Sequence, residues 1–135
     1  MKNSKIFLVI ALLVSSVFFP NCTPDNDSLT ETQEIITRGN WSINYYYAGQ
    51  DKTAQVNNYQ FSFETGGKVT CTDNNMQYHG TWQVEKNVEG DVLNMQLTTP
   101  PVELLQLNDG WNVTGKNTNS ISLKSASVQL RITKI

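Results

Sequence analysis

From Trp41 to the C-terminus, apolar residues recur at every second position, in short runs separated by turn-forming residues. Trp41, Ile43, Tyr45 and Tyr47 share one such face. Tyr59, Phe61 and Phe63 share the next, followed by Val69 and Cys71. The pattern continues through Tyr78, Gly80, Trp82 and Val84, and through Leu93, Met95 and Leu97. Trp111 with Val113, Ile121 with Leu123, and Val128, Leu130 and Ile132 complete it. A period of two sends alternate side chains to opposite faces, so each run predicts a strand with one buried face. Asn57-Asn58, Gly66-Gly67, Asn74-Asn75, Glu89-Gly90-Asp91, Asp109-Gly110, Asn117-Thr118-Asn119 and Ser125-Ala126-Ser127 punctuate the runs. Gly and Asn tolerate the positive φ of tight turns. The expected fold is all-β, with eight strands joined by short links into a meander of antiparallel hairpins. Closing the meander into an up-and-down barrel removes its exposed edges. A two-sheet β-sandwich uses the same alternation and is the alternative.

Two segments follow other rules. Leu29–Gly39 predicts one short helix: Thr30 caps it with Gln33 three residues on, Glu31 and Glu34 suit its positive end, and Gly39 is the left-handed stop. At two turns it needs the domain to pack against. Pro100–Leu107 begins with prolines and lacks alternation, which predicts a short helical turn or a covering loop.

The N-terminus differs in kind. Lys2 and Lys5 precede an uncharged stretch of 14 apolar or small residues, Ile6 to Phe19. That is short for a membrane-spanning helix and suits the apolar region of an export signal; an uncleaved anchor is the other option. Phe19-Pro20-Asn21-Cys22 resembles the lipobox of bacterial lipoproteins. The resemblance implies a signal peptide over 1–21, acylation of Cys22 with fatty chains such as palmitate, and a polar tether over 22–29. The domain then spans 30–135. With Cys22 lipidated, Cys71 has no partner within the chain, which holds two cysteines. Cys71 reads as a small buried apolar residue of a strand.

Composition excludes more than it selects. Without residues 1–21 the chain carries 8 basic and 12 acidic residues, with no clustered basic face, which sets nucleic acid aside. His79 is the one histidine and falls on the polar face of its strand with Gln77 and Thr81. Any Ser-His-Asp or Cys-His arrangement would need it. One histidine and one remaining cysteine make no metal ligand set. No carboxylate pair or phosphate-cradling loop stands out, so neither enzyme activity, metal nor cofactor is expected.

Gly39-Asn40-Trp41, at the join of helix and first strand, resembles the G-x-W of lipocalins. Tyr59-Gln60-Phe61-Ser62-Phe63, Gly66-Gly67, Gly80-Thr81-Trp82, Leu107 to Val113, Ile121-Ser122-Leu123 and Leu130-Arg131-Ile132 extend the likeness over residues 39–135. Together they resemble the lipocalin-like domains of small Gram-negative bacterial lipoproteins. The resemblance implies that Gly39 and Trp41 form a structural closed end, with a late arginine, Arg131, or the local Arg38 over the indole. It also implies an outer-membrane, lipid-anchored location, with the face open. The expected interior holds Tyr45, Tyr47, Phe61, Phe63, Tyr78, Trp82 and Trp111, either as packed core or as the lining of a pocket for a small hydrophobic ligand. The leading expectation is a lipid-anchored binding protein for such a ligand. The alternative is a protein-interaction or inhibitor module with a filled barrel, with Tyr46 on the face opposite the core.

Overall fold

The computed structural model describes residues 29–135, so the expected signal peptide 1–21, Cys22 and all of the tether before Leu29 lie outside the described residues. Helix α1 (Glu31–Ile36) leads into β1 (Asn40–Tyr47), and a second short helix, α2 (Thr53–Val56), leads into β2 (Gln60–Phe63). β3 (Lys68–Thr72), β4 (Gln77–Asn87) and β5 (Gly90–Leu97) follow as hairpins. A 3-10 segment (Val102–Leu107) separates them from β6 (Asp109–Asn117), β7 (Ser120–Ser125) and β8 (Val128–Lys134). Every neighbouring pair is antiparallel, and β8 returns to pair with β1, so the eight strands form a closed barrel in sequence order. The closing register runs from Trp41 opposite Lys134 to Tyr47 opposite Gln129. The sandwich alternative is thereby excluded.

Local chemistry accounts for the elements. Thr30 and Gln33 exchange both hydrogen bonds of a capping box at the start of α1. Gly39 leaves the helix at φ +102°, a conformation that favours glycine. The pattern had no signal for α2, whose single turn seats Val56 in the core.

The antiparallel register defines two ends. α1 lies at the entry end, with the β2–β3, β4–β5 and β6–β7 turns. α2 and the 3-10 segment close the far end, where they touch each other. Each of the three tryptophans ties a covering segment to the barrel. Trp41 Nε1 donates to Ile36 O of α1 at 2.8 Å, and Trp82 Nε1 to Glu64 O in the β2–β3 turn at 2.9 Å. Trp111 Nε1 donates to Leu107 O of the 3-10 segment at 3.1 Å. The indole N–H is the one polar group each ring brings into the core, and each is satisfied.

Candidate functional site

The interior is filled. Phe61, Phe63, Trp82 and Trp111 point inward and are 2%, 3%, 6% and 0% exposed, and Phe63 meets Trp82 edge to face at 5.6 Å. Leu93, Met95, Leu123, Leu130 and Ile132 pack between them. The space left among Ile43, Phe61, Leu107 and their neighbours is about 10 Å³. That is roughly one water molecule's worth, against the roughly 300 Å³ at which small-molecule pockets begin.

The tyrosines of β1 depart from the expected phase. The register with β8 shifts between Ile43 and Tyr45, leaving Asn44 as an extra residue. Such a bulge reverses the alternation beyond it. Tyr45 and Tyr47, expected inside, therefore face outward; Tyr47 is 38% exposed, while Tyr45 is half-buried beside Arg131. Tyr46, expected outside, is the inward residue at 2% exposure. Three consecutive tyrosines carry no polarity contrast, so nothing in the sequence marks where the phase slips. Tyr78 is half-buried at the far rim, edge-on to Tyr59 at 6.5 Å.

Two tyrosine hydroxyls hold the far cap down. Tyr46 Oη donates to Gln106 Oε1 and Tyr59 Oη to Glu103 Oε1, each at 2.6 Å. Leu104 and Leu107 insert below at 0% exposure. The sequence predicts a short helical turn or covering loop here, which the 3-10 segment bears out; the three-residue spacing of Leu104 and Leu107 is the further signal for its inserting face. The hydrogen bond from Tyr59, with a backbone hydrogen bond behind it, holds the Glu103 carboxyl below its ordinary pKa. Burial, then the bond to Glu103, pushes the Tyr59 phenol up. A carboxylate with a depressed folded pKa contributes stability that is complete above its unfolded value and lost as the pH falls through the folded one. Amide protection of Leu104 and Asn108, corrected for intrinsic exchange, is therefore expected to decline below the ordinary glutamate range. In Tyr59→Phe it is expected to be lower at neutral pH and to lose that acid-side decline. Equal protection in both proteins would remove the latch from the account.

Outside this cap, Val102, Leu105 and Met76 are 79%, 50% and 55% exposed at the same end of the barrel. Glu103 and Asp73 are close enough for each to disfavour ionisation of its neighbours, so this end is locally acidic.

At the entry end, Trp41 is 0% exposed, and the cation over its ring is Lys134 Nζ at 5.4 Å. Neither Arg131 nor Arg38 takes that place: Arg131 points outward over Tyr45, and Arg38 pairs with Glu34 on α1. Thr32 donates to Asp91, and Lys116 Nζ reaches Glu31 at 3.1 Å and Asp91 at 3.5 Å, which clamps α1 to β5 and β6.

Cys71 faces the core opposite Tyr78, while His79 faces out beside Thr70 at 3.3 Å. Burial, and secondarily Asp73, pushes the Cys71 thiol up to about 12. The thiolate is the reactive form. Iodoacetamide is expected to leave Cys71 unmodified in the folded protein and to alkylate it after unfolding, as read by mass spectrometry of Cys71 peptides. Rapid alkylation of the native protein would contradict the packing.

The closed barrel, its G-x-W entry and its short entry helix define a lipocalin-like domain by fold. No protein-family profile matches the sequence, and no curated protein does. Solved structures match the fold. A DUF4847 family protein from Bacteroides vulgatus superposes with a TM-score of 0.57 at 18% identity, over 76% of this chain and 96% of that one. A lipocalin-like protein from Bacteroides uniformis gives 0.57 at 12% identity, over 73% and 98%. An uncharacterized protein from Bacteroides eggerthii gives 0.54 at 10%, over 72% and 98%.

Proposed function

We propose that this chain is a lipid-anchored, non-enzymatic module of the cell envelope that engages a protein partner through the far end of a filled barrel. The observation that carries the reading is the exposed apolar set at the far end, Val102 and Leu105 on the cap and Met76 in the β3–β4 turn, above a filled interior whose residual void is about 10 Å³. Exposed apolar residues at one end of a small domain mark an interaction site where they join into one patch. The end is acidic through Glu103 and Asp73, so the complementary partner surface is apolar with basic flanks. The chain enters the domain at the opposite end, through α1. A tether on Cys22 would hold that entry end toward an outer-membrane leaflet and present the cap away from it.

Affinity capture from envelope extract, using the full chain, tests both parts. Val102→Asp with Leu105→Asp is expected to abolish recovery of the partner. Val88→Asp, at the opposite end and fully exposed, is expected to leave it intact. Cys22→Ser is expected to move the protein from the detergent phase to the aqueous phase. Recovery insensitive to the cap substitutions would defeat the reading.

A second reading, carriage of a small hydrophobic ligand, draws on the lipocalin-like fold and on the place of the residual void under Leu107. It requires the 3-10 segment to swing out on Pro100 and Pro101. Native mass spectrometry finding a copurified apolar molecule, lost in a Leu107→Trp variant, would favour it over the first.

A further inference from the structure

The outer face of β6, β7, β8 and β1 carries features that neither the core nor the far cap explains. Tyr45, Arg131, Ser122 and Gly115 are paired in register across four adjacent strands, so their side-chain positions form one outward row. Two cavities open on this row, of about 380 and 470 Å³, and share Gly115, Ser122 and Arg131. Both are shallow and open to solvent, so a ligand here would lie along the surface, as one or two sugar rings can. Among the described residues no Asp or Glu lines either cavity, in a chain whose acidic residues outnumber its basic ones.

The backbone is shaped around the same row. Both strands that bound the face carry a bulge, at Asn44 in β1 and at Thr114 in β6. Bulges re-aim side chains and gather beside functional sites. Gly115 follows the second bulge. Its φ lies outside the left-handed region, and an added Cβ would meet nothing nearer than Ser122 Cβ at 3.9 Å. Neither strain nor crowding therefore requires glycine, although glycine within a strand loses the most conformational freedom on folding. Its absent side chain leaves the floor of the groove open for close approach.

Arg131 supplies the charge. Its guanidinium stands 6.0 Å over the Tyr45 ring, and Nε donates to Ser122 Oγ at 3.4 Å. Among the described residues it has no carboxylate partner, so its terminal N–H groups stay available as a fork for a pair of anionic oxygens. Lys124 lies one row away. Thr133 Oγ1, at the lower cavity, is buried without a hydrogen-bond partner among the described residues. Lys116 also lines the lower cavity but is engaged by Glu31 and Asp91, so Arg131 is its cation left without a carboxylate partner, among hydroxyls and amides that complement a hydroxyl-rich anion.

We infer that this face binds an acidic sugar, with its carboxylate or sulfate on Arg131 and its hydroxyls on the Ser122, Asn44 and Thr133 side of the groove. The site is independent of the far-end partner surface.

The test is nuclear magnetic resonance titration of the full chain in detergent micelles. The probes are digalacturonate for a carboxylate, a sulfated glucosamine for a sulfate, and the neutral digalactose. One or both acidic sugars are expected to shift the Gly115, Ser122 and Arg131 amides, with neutral digalactose at least about tenfold weaker, the worth of a hydrogen bond to a charged group. The preferred acidic probe identifies the anion. Arg131→Gln is expected to erase the difference between acidic and neutral sugars, and Arg131→Lys to retain part of it. Gly115→Val is expected to block both. Val102→Asp with Leu105→Asp is expected to leave sugar binding unchanged, so the two proposals fail separately. Equal shifts from neutral and acidic sugars, an Arg131→Gln protein that binds like the parent, or no shift at millimolar sugar would each overturn the inference.

Discussion

Replacing Trp41 by alanine is expected to lower stability by about 3–5 kcal/mol, the range for emptying a large aromatic site. The ring is 0% exposed, its Nε1 is the partner of Ile36 O, and Lys134 packs over it. Removal leaves a cavity at the entry end, an unpaired buried carbonyl and a helix α1 left with the Thr32 and Lys116 contacts to β5 and β6. Against a total of about 5–15 kcal/mol for a domain of this size, that is a large share. The melting temperature by circular dichroism should fall by about 15 °C or more. Trp41→Phe keeps most of the volume and loses the N–H, so it should cost less, near the roughly 1–3 kcal/mol of an unsatisfied buried polar group. A loss under about 1 kcal/mol for the alanine variant would mean that the entry end is not part of the core.

Gly80→Ala is expected to be at least as damaging, although it adds a single methyl. A Cβ at Gly80 would stand 2.1 Å from Gln96 O and 2.7 Å from Leu97 Cα, both backbone atoms of the adjacent strand β5. No rotamer relieves such an overlap; β4 and β5 must part where Gly80 pairs with Leu97. Overpacking costs about 1–3 kcal/mol where side chains can yield, and a backbone obstacle should exceed that. The expected result is a protein that fails to fold or melts with a broad transition. Gly66→Ala is the matched control: none of the described residues lies within 4 Å of its Cβ, and its effect should stay within about 0.5 kcal/mol. Equal melting temperatures for the two variants would show that β4 does not pass so close to β5.

How much of this was legible depends on the range of the interaction. The capping box of α1, the inward faces of Phe61, Phe63, Trp82 and Trp111, and the outward His79 follow from neighbours within a few residues, and the structure shows each as the pattern implies. The tyrosine run was not legible. Its phase is set by a bulge against β8, more than eighty residues away in the chain, and three like residues mask the slip. Lys134 over Trp41 was missed for a related reason: the pairing register of β1 with β8 chooses the cation, not its order in the sequence. The far cap was recognised as a covering segment but its latches were not, since Tyr46 and Tyr59 reach Gln106 and Glu103 across 60 and 44 residues.

The sequence alone determined the alternation, the turns between strands and therefore the antiparallel meander. Those are properties of neighbouring residues and of the conformations their backbones allow. Tertiary structure alone decided that the last strand returns to the first, that the interior is filled rather than hollow, and that Arg131 stands on an open outer groove. Closure depends on accumulated twist and register around the whole ring. Filling depends on the summed volume of inward side chains and two end caps against one circumference. Neither quantity belongs to any single stretch of chain.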